Sequence, residues 1–160
     1  MSVDAATAWR VDGLEEFIVS AKHATYAAAA AKSLPYRLGT SDIQFREGPW
    51  SYLDSYVGEA DFLGQEIVYL DRVPVWSMAY YGFLISPRID SATAGRVVQA
   101  ALTRLYDDGR FLGGFSTDVD GYRYVDTNTG NVSRFTGREW IESHDERLYT
   151  LHYFGGDIRY

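Results

Sequence analysis

The chain has 160 residues, a formal net charge of −7 and no cysteine. These features exclude disulfides and thiolate chemistry, and argue against nucleic-acid backbones and anionic membrane surfaces as partners. The 16% aromatic content, with 13 tyrosines and 4 tryptophans, has to fill a core or line a binding surface.

The first predicted helix opens at Asp12-Gly13-Leu14-Glu15, which reads as a capping box with Asp12 as N-cap. Leu14, Phe17, Ile18, Ala21, Thr25 and Ala28 then recur at helical spacing, and the helix is expected to end near Ala31 or Lys32. Lys22 lies on this helix, and exposure to water is its expected state because lysine is seldom buried. A short strand at Ile43 to Arg46 follows, turning through Glu47-Gly48. Strands are predicted at Trp50 to Val57, Phe62 to Leu70 and Val75 to Leu84, with a turn at Asp71-Arg72. A second helix starts after Asp90 as N-cap, shows Ala94, Val97, Val98, Ala101, Leu102 and Leu105 on one face, and stops at Gly109. Asp120-Gly121 is a strong hairpin signal, and Asp145-Glu146 is the expected turn before the last strand.

The two halves share an ordered set of residues. Tyr52, Asp54 and Gly58 match Tyr124, Asp126 and Gly130. After a one-residue shift, Phe62, Gly64 and Glu66 match Phe135, Gly137 and Glu139, and Tyr80, Gly82 and Ile85 match Tyr153, Gly155 and Ile158. Trp76 pairs with Tyr149, and Met78 with Leu151. The reading is an α+β fold: an internally duplicated unit of one helix and three to four antiparallel strands, pseudo-two-fold, in a single domain over 1–160. Repeat 1 covers about 12–86 and repeat 2 about 90–160.

Side chains alternate between the faces of a strand, so the matching positions fall mostly on one side. That side is either a core or a cleft between the halves. As a cleft it has aromatic walls and a carboxylate floor, with Tyr52, Asp54, Glu66, Trp76, Tyr80, Tyr124, Glu139, Tyr149 and Tyr153 as candidate ligand-binding residues. Glutamate beside aromatic rings suits a cationic or aromatic small molecule. The same Glu66 or Glu139, desolvated, suits a cofactor-independent acid–base enzyme (isomerase, lyase or hydrolase). A third alternative is a protein-interaction domain, homodimeric through an open strand edge. His23, His144 and His152 lack ligand spacing, and no phosphate-binding or nucleophile motif occurs, so no metal or cofactor is expected. With no leader and no apolar span in the sequence, the cytoplasm is the expected location.

Several motifs resemble a bacterial family of unknown function, found alone or fused behind XRE-type helix-turn-helix regulators. They are A-K-x-x-T-Y-A at Ala21 to Ala27, the strand Tyr52 to Gly58, F-x-G-x-E at Phe62 to Glu66, P-x-W-x-M-x-Y-Y-G at Pro74 to Gly82, and the ending Tyr149 to Gly156. The resemblance implies a sensor-like role. Members often carry His-Asp where this chain has Ser41-Asp42, and Asn where it has Ala79. Chemistry resting on either side chain would then be absent here. The overall plan is also similar to gyrase-inhibitor-like effector-binding domains, a likeness of fold alone.

Overall fold

A computed structural model describes residues 11–27 and 29–160. The elements run α1 (Leu14–Lys22), a π-helical turn (His23–Ala27), β1 (Ser41–Glu47), β2 (Trp50–Gly58), β3 (Phe62–Leu70), β4 (Val73–Leu84), α2 (Ser91–Asp107), β5 (Phe115–Val119), β6 (Tyr122–Asn131), β7 (Arg134–Ser143) and β8 (Glu146–Asp157). The strands form one antiparallel sheet in the order β1-β2-β3-β4-β8-β7-β6-β5. Each helix precedes a four-strand meander, and the meanders join where Tyr80 of β4 lies opposite Tyr153 of β8. The two surfaces carrying the shared residues therefore lie side by side in one sheet. They do not face each other, as a cleft between halves requires. The helix layer covers the face they form.

Local chemistry explains most boundaries. The Asp71-Arg72, Asp120-Gly121 and His144-Asp145 pairs all have positive φ, the conformation a two-residue hairpin needs to match strand twist. The last turn thus sits one residue earlier than Asp145-Glu146, and the first hairpin closes through Gly48-Pro49, one residue beyond the expected Glu47-Gly48. At α2, the Thr93 amide donates to the Asp90 carboxylate at 2.7 Å, and Gly109 (φ 73°) ends the helix.

The start of α1 differs from the capping box. Gly13 occupies the N-cap in the left-handed region (φ 82°), and no side chain caps the helix. Regular α-helix stops at Lys22, well short of Ala31; a wider π turn continues to Ala27, where the Thr25 hydroxyl donates to the Ala21 carbonyl at 2.7 Å. Ala28 lies outside the described residues.

Val68, Trp76, Phe135 and Ile141 on the inner sheet face join Phe17, Ile18, Val97, Ala101 and Leu105 of the helices in the core. No helix among the described residues is long and apolar enough to cross a membrane.

Candidate functional site

Between the middle of the sheet and the helices lies a cavity of about 640 Å³. That falls inside the range of roughly 300–1,000 Å³ common for small-molecule sites. Seven of the nine candidate residues line it: Tyr52, Asp54, Glu66, Tyr80, Glu139, Tyr149 and Tyr153. Asp126, Phe62 and Leu151 complete the sheet wall, while Lys22, Tyr26, Leu102 and Tyr106 descend from the helices.

Trp76 and Tyr124 do not line it. Trp76 is fully buried, stacked at 5.8 Å on Phe135 and edge-on at 5.9 Å to Phe111, and its indole donates to the Val132 carbonyl at 2.9 Å. Tyr124 is also fully buried, and its hydroxyl donates to Glu139, so it supports the carboxylate from behind the cavity wall. Both share the strand face of the site, and over Trp76 the Phe111 ring and the Val132 turn close the sheet.

Two tyrosine arms give the wall its geometry. Tyr80 of β4 crosses β3 to donate to Asp54 of β2 at 2.7 Å, and Tyr153 of β8 crosses β7 to donate to Asp126 of β6 at 2.7 Å. The crossings pass over Gly64 and Gly137. A Cβ at Gly64 would stand 2.3 Å from the Tyr80 hydroxyl, and one at Gly137 would stand 2.0 Å from the Tyr153 ring. Only glycine leaves room for a ring to lie flat on the strand. Asn128 also donates to the Tyr153 hydroxyl, at 3.1 Å.

Glu139 accepts hydrogen bonds from Tyr124 and from Tyr149, the latter at 2.9 Å. Glu66 is held instead by Lys22 at 2.6 Å. Lys22 is only 4% exposed, which corrects the expectation that it reaches water. Its ammonium also lies 5.4 Å from the centre of the Phe111 ring.

Desolvation disfavours the charged form of a buried acid. Burial, reinforced by the neighbouring Glu66, pushes the Asp54 carboxyl up to about 7, against the Tyr80 hydrogen bond and the Lys22 charge. Burial raises Asp126 to about 6, opposed by hydrogen bonds from Tyr153 and Asn128. Glu139 rises to about 7, again mainly through burial, with Asp126 adding to the rise and the Tyr124 and Tyr149 hydroxyls opposing it. The tyrosines move the other way from ionisation: burial first, then the adjacent carboxylates, hold Tyr80, Tyr106, Tyr124 and Tyr149 well above the usual phenol range. Tyr80, Tyr124 and Tyr149 act as fixed donors to these carboxyls.

Of the two positions where this chain departs from the family it resembles, Ser41 lines the cavity mouth beside Lys32, which bonds its hydroxyl at 2.9 Å. Asp42 is turned to the other sheet face, bound by the Ser55 hydroxyl at 2.7 Å and the Tyr36 amide at 2.8 Å. Ala79 pairs with Gln65 and Phe154, out of register with the cavity positions. Among the described residues, no three His, Asp or Glu side chains converge as a metal-ligand set.

Sequence reasoning missed Lys22, Asp126, Tyr26 and Tyr106 as cavity residues. Asp126 was recoverable as the partner of Asp54. The helix residues carried a weaker signal: Ile18, Lys22 and Thr25 follow i, i+4, i+7, which places the lysine on the packed face.

Residues 54–158 match a domain of unknown function, DUF5680, and the chain belongs to that family. No curated protein and no solved structure matches it.

Proposed function

We propose that this DUF5680 chain binds a small organic molecule, cationic or aromatic, in the cavity between sheet and helices, as a sensor or carrier module does. The supporting observation is the cavity wall itself: carboxyls buried at the foot of an open space, each held by a tyrosine hydroxyl or a lysine from the same chain. Buried acids with raised pKa values at the base of a concave site are a common mark of ligand-binding or catalytic sites. The matched tyrosine arms, and the matched left-handed glycines Gly58 (φ 93°) and Gly130 (φ 91°), support an origin by internal duplication. A single domain of two repeats accounts for the one continuous sheet. The cytoplasm is the proposed location.

A thermal-shift screen of metabolites tests this. A ligand at about a hundred times its dissociation constant adds roughly 2.7 kcal/mol, a rise of roughly 5–10 °C for a domain of this size. Gly95→Trp is the control. Gly95 lies on α2 at the cavity, and a Cβ there meets nothing within 4 Å, so the indole fills the mouth without a backbone clash. Ligand shifts should disappear in that variant while its own melting temperature holds or rises. A shift that survives Gly95→Trp places the ligand elsewhere.

The second reading is acid–base catalysis, favoured by carboxyls that titrate near neutrality at Asp54 and Glu139. Glu66, the other catalytic candidate, is the weaker choice because Lys22 is bonded to it. Turnover of a bound compound without added cofactor would establish this reading over simple binding. Interaction through the edge strands β5 and β1, the latter already bridged at Asp42 by Ser33, is the remaining proposal, and a dimer in solution would support it.

A further inference from the structure

Each half of the sheet sets an aspartate directly across a strand pair from a glutamate: Asp54 opposite Glu66, and Asp126 opposite Glu139. Carboxylates directly opposite one another repel. The protein relieves the two pairs in different ways.

At the first pair, α1 delivers an ammonium. Lys22 sits 2.6 Å from Glu66 and 5.4 Å from the centre of the Phe111 ring. A cation held between a carboxylate and an aromatic face is how proteins bind organic ammonium groups, so Lys22 is a ligand of that kind supplied by the chain itself. Four residues on, Tyr26 also reaches the cavity.

From the other side α2 brings Leu102 and, four residues on, Tyr106 to the same cavity. Both helical segments thus present an i, i+4 pair to the cavity, with leucine in α2 where α1 has lysine. None of the ion pairs among the described residues includes Asp126 or Glu139. The groups facing them are Tyr153, Asn128 and the more distant Arg110 and Lys22 for Asp126, and Tyr124, Tyr149 and Lys22 for Glu139. Donor hydroxyls position these carboxyls without neutralising them.

We infer that the cavity selects an organic monocation, its ammonium seated on Asp126 and Glu139, and that Lys22 sets this selectivity by occupying the equivalent seat on Asp54 and Glu66. The inference rests on the reading that the cavity binds a small molecule. Lys22 is then a specificity-determining residue: it makes the cavity accept one added positive charge where four carboxyls would otherwise accept two. The body of the ligand lies against Leu102, Leu151 and Phe62.

Three probes with the same six-carbon body test it: hexylamine, 1,6-diaminohexane and 1-hexanol, titrated by calorimetry in amine-free phosphate at pH 8. Wild type should bind hexylamine more tightly than either of the others. Glu139→Gln should weaken hexylamine on the order of tenfold or more, the loss of one charge-assisted contact. The double variant Lys22→Met/Glu66→Gln frees Asp54 from its lysine and should gain affinity for 1,6-diaminohexane over hexylamine. Lys22→Met alone, where it folds, should gain affinity for 1,6-diaminohexane. Equal hexylamine binding by wild type and Glu139→Gln overturns the inference, as does a double variant that gains nothing for 1,6-diaminohexane. Failure of hexylamine to bind wild type also overturns it. If 1-hexanol alone binds, and Gly95→Trp blocks it, the cavity reading stands and the charge selectivity fails.

Discussion

Glu139→Gln is the sharpest stability test of the buried carboxyl wall. Glu139 ionises near 7 in the folded chain against an ordinary 4.5. Between those values the folded state holds a proton that the unfolded state releases, so stability falls as pH rises through this window. Below about pH 4.5 the group costs nothing; above about pH 7 the whole cost is present. Each tenfold step in protonation is worth about 1.4 kcal/mol, which makes the full loss on the order of 3 kcal/mol. Glutamine resembles the protonated acid, and its amide can accept from one of Tyr124 and Tyr149 while donating to the other. The variant should therefore match wild type near pH 5 and exceed it at pH 8, by up to about 3 kcal/mol. Urea unfolding at the two pH values, followed by tryptophan fluorescence, measures it. Asp54 and Asp126 are also raised, to about 7 and about 6, so the variant keeps part of the wild-type decline. An unchanged decline, or a variant less stable than wild type at pH 8, would show that Glu139 is not the desolvated acid described.

Gly137→Ala should cost about 1–3 kcal/mol by forcing the Tyr153 ring off β7, and Gly64→Ala should cost a similar amount through Tyr80. Denaturant midpoints report both, and a loss under about 0.5 kcal/mol would mean the arms do not need the glycines. Asp90→Ala removes the side-chain cap from α2 and should cost about 1 kcal/mol, whereas Asp12→Ala should cost little because Gly13 is the N-cap of α1. Comparing the two substitutions by thermal melts checks that assignment.

Residues whose structure is dictated by near neighbours were legible in the sequence. The strand Phe62–Leu70, the Asp90 cap and the Asp120-Gly121 turn each follow from side-chain alternation or a local hydrogen bond. The face of the sheet carrying the site followed from alternation too, which is why seven of nine candidates line the cavity. Depth along that face was not legible. Trp76 and Tyr149 are matched positions, yet Trp76 is covered by Phe111 and the Val132 turn while Tyr149 opens to the cavity. Which row a helix covers depends on long-range packing, and no periodicity within a strand encodes it. The same limit hid Lys22, whose partner Glu66 lies 44 residues away.

Core and cavity are two zones of a single face. At its ends the rows are apolar and closed, with Val68, Trp76, Phe135 and Ile141 under the helices. In the middle the chain places acids instead, and gives up side chains at Gly64 and Gly137 so that tyrosines can reach two of them. No buried side-chain polar atom among the described residues lacks a partner. Complete satisfaction by itself is compatible with a purely structural network. Such a network needs no open space above it, and closing the space would be simple. A side chain at Gly95 points into open room, and replacing a helical glycine there stabilises by roughly 1 kcal/mol before any packing is counted. A chain selected for stability alone gains from that substitution and from neutral residues at Asp54 and Glu139. A glycine over the space and ionisable groups beneath it are what the proposed ligand site requires, and Gly95→Trp separates that role from stability.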